Sequence, residues 1–160
     1  MRFLLLLLLS TVTFGQTIEE RVSKFENSKQ YGVKYDKFAK TTTVDKMLAF
    51  RNTREAYSPY TQVVVRLSEN GEAYIYLWFA KSRSYYDRPT LKFLLDGELL
   101  AIANDDIDDT VMFPLTQEQA ERIAKSKTVE MQLQGFETVW DAKTLTAFRN
   151  IVSLTKPPLR

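Results

Sequence analysis

Four carboxylates crowd into the stretch Asn104-Asp105-Asp106-Ile107-Asp108-Asp109. Calcium takes about six to eight oxygen ligands, so Asp105, Asp106, Asp108 and Asp109 are weak candidates for holding it. The run departs from a calcium-binding EF-hand loop, having no central glycine and no closing glutamate. A solvated acidic turn between strands is the simpler reading. Glycoside hydrolysis by two carboxyls needs them ~5–10 Å apart across a cleft, which neighbours on one turn do not establish. A second group lies in Ser82-Arg83-Ser84-Tyr85-Tyr86-Asp87-Arg88-Pro89. Tyr and Arg dominate binding hot spots and loops often carry function, so Arg83, Tyr85, Tyr86 and Arg88 form the candidate binding surface. The row Tyr74, Tyr76, Trp78 is the third group, since aromatic rows stack on sugars and bases.

The chemistry available to these groups is narrow. The chain has no cysteine and no histidine. That rules out a disulfide framework, a cysteine nucleophile, a Cys-His zinc site and a Ser-His-Asp triad. No cofactor is implied, and no residue set amounts to a catalytic constellation. Lys and Arg number 22 against 20 Asp and Glu, for a net charge of +2. The charges are interspersed along the chain, without the basic stripe that neutralises phosphates, so nucleic acid is not an expected partner.

The amino terminus reads as a secretory signal. Arg2 gives the positive start, Phe3–Leu9 is an unbroken apolar run, and Ser10–Gly15 turns polar and ends small. Cleavage is expected before Gln16. The run is far short of the ~20 apolar residues that span a membrane, and no later run is longer. Residues 1–15 are thus a signal peptide and 16–160 one globular domain, without a membrane span after cleavage.

Within that domain, Ile18, Val22 and Phe25 share one face of a peripheral helix over 17–30, with Thr17 as its cap. Strands are expected around 33–38 and 42–50. The clearest signal is Asn70-Gly71 between Thr61–Ser68 and Glu72–Ala80, a pair suited to a two-residue type I′ hairpin turn. Such a turn sets Leu67 against Tyr74, Val65 against Tyr76 and Val63 against Trp78. These six residues then share a buried face, and Gln62, Val64 and Arg66 lie opposite Phe79, Leu77 and Ile75 on the other. On this reading the aromatic row is core. Asp96-Gly97 repeats the device, with Leu91, Phe93, Leu95, Leu100 and Ile102 on one face. Val111–Leu115 is a further strand, and a third hairpin around Gln134-Gly135 sets Val129, Met131 and Leu133 against Trp140, Thr138 and Phe136. Thr116 and Gln119 make a capping box. Asp141 caps a last helix, in which Leu145, Phe148, Ile151 and Val152 form the buried stripe. Residues 156–160 are a frayed tail.

The fold class is mainly β (α+β): an antiparallel sandwich or partly open barrel of about eight strands with two or three peripheral helices. The stretch Tyr35-Asp36-Lys37-Phe38 with Thr42 and Val44, the Asp96-Gly97 hairpin, Leu115-Thr116 through Ile123-Ala124 to Val129-Glu130, and the closing helix resemble uncharacterised exported bacterial domains of this size. The resemblance implies no activity. The expected function is a non-catalytic exported binding or accessory module of the bacterial cell envelope, in the periplasm or at the cell surface, whose partner is an envelope protein or a glycan. The alternative is a small carboxylate-dependent hydrolase or calcium-binding protein using the 104–109 run.

Overall fold

A computed structural model describes residues 17–49, 60–80, 90–103, 110–133 and 136–156. The expected signal peptide, and the tail beyond Lys156, lie outside the described residues. The chain begins with helix α1 (Ile18–Glu26). A five-stranded sheet follows from β1 (Gly32–Asp36), β2 (Thr41–Ala49), β3 (Tyr60–Ser68) and β4 (Ala73–Ala80). The chain then crosses to a second sheet for β5 (Thr90–Leu95) and β6 (Glu98–Ala103) and returns as β7 (Thr110–Leu115). Helix α2 (Gln117–Lys125), strands β8 (Val129–Leu133) and β9 (Phe136–Val139), and helix α3 (Ala142–Val152) complete it, with a 3-10 turn at Ser153–Thr155. The sheet orders are β1-β2-β3-β4-β7 and β6-β5-β8-β9, antiparallel throughout. The sheets do not close into a barrel, and the described residues form nine strands where about eight are expected from sequence.

Local signals explain most of the boundaries. Thr17 caps α1 with its hydroxyl on the Glu20 amide while Glu20 reaches back, and Thr116 and Gln119 do the same for α2. Helix α1 stops at Glu26, just past the last apolar residue of its stripe and short of the expected 17–30, and the chain turns at Asn27 to set Tyr31 edge-on to Phe25. Asp141 caps α3 through the Thr144 amide at 2.7 Å. The Asp96-Gly97 turn has φ +49° and +93°, as a type I′ turn requires, and pairs Leu95 with Glu98. Met131 faces Thr138 and Leu133 faces Phe136, the register expected for the third hairpin.

The β3–β4 hairpin departs from expectation by one residue. Val63 pairs with Leu77, Val64 with Tyr76, Val65 with Ile75 and Arg66 with Tyr74. The loop is three residues long: Gly71 donates to the Ser68 carbonyl, Gly71 alone of the loop has positive φ, and Ser68 donates across to Glu72. The added residue, Glu69, is held by the β1–β2 turn, its amide on the Lys40 carbonyl and its carboxylate under the Tyr35 hydroxyl. A one-residue slip sends every side chain to the other face. Ile75, Leu77 and Phe79 therefore enter the core with Val63, Val65 and Leu67, and Tyr74, Tyr76 and Trp78 face outward. Burying the three aliphatic and phenyl groups leaves no hydroxyl to satisfy, whereas the other register would bury two phenols.

One core joins all these elements. The inner faces of both sheets contribute, and α3 adds Leu145, Ala147, Phe148, Ile151 and Val152. Helix α3 thus supplies core as well as cover. Trp140 connects the layers, edge-on to Phe93 of the second sheet at 5.8 Å and to Phe148 of α3 at 5.2 Å.

Candidate binding face

The outer face of the five-stranded sheet is built from alternate residues of each strand, because strand side chains repeat every two positions. Ladder pairing arranges them in rows across the sheet. One row is Met47, Gln62, Trp78 and Met112. The next is Gly32, Asp45, Val64, Tyr76 and Pro114, and the third is Lys34, Thr43, Arg66 and Tyr74. Tyr74 is 55% exposed, Met47 50% and Met112 41%, while Tyr76 and Trp78 are half-buried. Val64 is buried although it faces outward, shielded in its row by Asp45 and Tyr76. Tyr74 donates to Glu72, and that bond holds its hydroxyl proton above the usual phenol range. A cleft of about 490 Å³ opens over this corner, lined by Arg66, Tyr74, Tyr76, Met112, Pro114 and Gln117. Pro114, on the edge strand β7, has no N–H to offer a further strand, so this edge is blunted against pairing.

Asp45 is the unusual member of the platform. Its carboxylate folds over Gly32 so closely that a Cβ there would collide with it. Glycine at position 32 is what lets the acid lie down on the sheet. Among the described residues it has no ion pair or hydrogen-bond partner, and burial raises its pKa.

Arg83, Tyr85, Tyr86 and Arg88 lie outside the described residues, as do Asp105, Asp106, Asp108 and Asp109. Their anchors are informative. Ala80 pairs with Thr110 in one sheet and Thr90 with Ala103 in the other. The Arg-Tyr segment and the acidic segment therefore connect the same two ladder ends. Among the described residues, no group of three or more acidic side chains is placed to hold a metal ion.

The second sheet also shows apolar groups outward, Leu94, Leu99 and Val139, above a depression of about 340 Å³. It is the smaller surface. Strand lengths and a spacing of ~4.8 Å by ~3.3 Å give the five-stranded face roughly 600 Å² and the four-stranded face roughly 330 Å².

Fold and face together define a two-sheet antiparallel β protein with an aromatic platform that no described helix or strand covers. In comparisons with family models, curated proteins and solved structures, the chain matches none.

Proposed function

We propose that this chain is a non-catalytic exported binding module that captures a protein of the cell envelope on the outer face of its five-stranded sheet. The observation that carries the reading is the company the aromatic row keeps. Tyr74, Tyr76 and Trp78 stand with Met47, Met112 and Arg66 on one continuous surface. Tyr, Trp, Met and Arg are the types enriched at protein interfaces. Methionine adapts to irregular apolar surfaces, which favours a protein partner over a flat sugar ring. Two such faces together would bury roughly 1,200 Å², the lower bound for a stable complex, whereas the four-stranded face falls well short. Export is supported by the Leu-rich start of the chain, which has the composition of a secretory signal.

The test compares capture from envelope extract by the immobilised protein and by three variants. Trp78→Ala and Met112→Asp alter the platform, and Leu99→Asp alters the opposite sheet. A protein retained by wild type and Leu99→Asp but lost from the other two supports the reading. Equal retention by all four chains, or selective retention of glycan instead, refutes it.

A further inference from the structure

Asp45 sits in the middle row of the platform, between Gly32 and Val64, neither of which has a side-chain donor. Thr43 and Met47 flank it along its own strand, and the other face of β2 points into the core. Asp36 of β1 lies on the same face two rows away, and the cations nearest Asp45 there are Lys34 of β1 and Arg66 of β3, each one row away and exposed. Among the described residues neither forms an ion pair with Asp45. The acid is already partly withdrawn from water, as its raised pKa reflects. A partner laid across the row would remove what water remains. Desolvating a carboxylate without supplying a counter-charge is strongly unfavourable. An apolar partner would therefore be rejected at this point. A long basic side chain would be accepted, its methylene stem lying over Val64 and Tyr76 while its head meets the carboxylate.

We propose that the partner of this face is a protein presenting an arginine or lysine to Asp45 from within an otherwise apolar patch. This rests on the platform being the binding surface, and goes on to name the chemistry of what it binds. Asp45 then acts as the selective element. Aromatic and methionine side chains supply contact area to many partners, and the half-buried acid excludes those lacking the cation.

Random dodecapeptides displayed on phage and selected against the immobilised full chain test both levels. Peptides that depend on Trp78, carry Arg or Lys among apolar residues, and bind Asp45→Asn at least about tenfold more weakly support the proposal. Their affinity for wild type should also fall as acid protonates Asp45, with no such dependence in Asp45→Asn. Peptides that depend on Trp78→Ala yet bind Asp45→Asn as tightly as wild type overturn the charge requirement and leave the platform standing. Peptides indifferent to Trp78→Ala, or no peptides at all, overturn the platform and the proposal with it. Far-UV circular dichroism of each variant separates lost binding from lost folding.

Discussion

Val64 and Tyr76 face each other across the β3–β4 ladder on the outer side of the five-stranded sheet, and Val64 is only 4% exposed there. The pair makes the platform part of the structure as well as the proposed surface for a partner. An aromatic ring beside a β-branched residue across a ladder contributes up to about 1 kcal/mol. Tyr76→Ala should therefore lower stability by about 1 kcal/mol in urea titration. Tyr74→Ala, two residues along and mostly in water, should change it by less than about 0.5 kcal/mol. Equal losses would mean that Tyr76 does not shield its neighbour.

The extra loop residue, Glu69, gives a sharper test of register. Deleting it leaves Asn70-Gly71 as a two-residue turn closed by Ser68 and Glu72, which already share a hydrogen bond. Val64 should stay opposite Tyr76, at a cost of about 1 kcal/mol for the lost bonds to Lys40 and Tyr35. Gly71→Ala should cost about 1 kcal/mol as well, because φ of +91° suits only glycine without strain. Cross-strand proton contacts by NMR would read the pairing directly. Tyr76 found against Val65 in the deletion variant would show that the loop, and not the core, sets the register.

These contrasts show what the chain's pattern discloses. Asn70-Gly71 and Asp96-Gly97 carry the same turn signal, yet only Asp96 joins its glycine at positive φ. The difference is tertiary: Glu69 is gripped by the β1–β2 turn, which no local window contains. Along β4 the alternation is bulky on both faces, so periodicity cannot choose between them, and the cost of burying phenols decides. Caps at Thr17, Thr116 and Asp141 are legible because each involves residues three apart. The proposed face is legible only in part: the row Tyr74, Tyr76, Trp78 stands out along one strand, but Met47, Arg66 and Met112 join it from three other strands, and β7 reaches β4 only after two strands in the other sheet.

Arg149 of α3 ties the far end of α2. Its Nε donates to the Ala124 carbonyl at 2.7 Å and its terminal nitrogen to the Ser126 carbonyl at 2.8 Å. These carbonyls end α2, where backbone acceptors lack helical partners and a cation complements the dipole. Arg149→Met keeps most of the aliphatic stem and removes both bonds. A loss of about 2 kcal/mol is expected in chemical denaturation, and Arg149→Lys should recover only part of it. A loss below about 0.5 kcal/mol would show that water replaces the guanidinium without penalty.

Thr61 presents the opposite case. It lies on the inner face of β3 opposite Phe79, fully buried, and its hydroxyl meets no partner among the described residues. An unsatisfied buried hydroxyl costs about 1–3 kcal/mol, and valine fills the same volume without it. Thr61→Val should raise the melting temperature, with a gain of about 1 kcal/mol. A fall would mean that the hydroxyl is bonded in solution.

Two aspartates should respond to acid with opposite sign. Asp96 accepts from the Thr128 and Lys127 amides and the Thr128 hydroxyl, pinning the β5–β6 turn to the start of β8. Those bonds hold its pKa below the ordinary 3.8. Its contribution is therefore complete above about pH 4 and is lost as pH falls through the lower, folded value. Asp96→Asn should melt below wild type at neutral pH, and the gap should close in acid. For Asp45 burial raises the pKa, so ionisation opposes folding. Its penalty is absent below about pH 4 and grows in as pH rises through the higher, folded value. Asp45→Asn should melt above wild type at neutral pH and match it in acid. Melting curves from pH 3 to 7 on the two variants would distinguish a carboxylate that serves the fold from one kept at the fold's expense. If Asp45→Asn instead melts below wild type at neutral pH, the acid has a partner within the chain, and no cation from outside is needed to explain its place on the sheet.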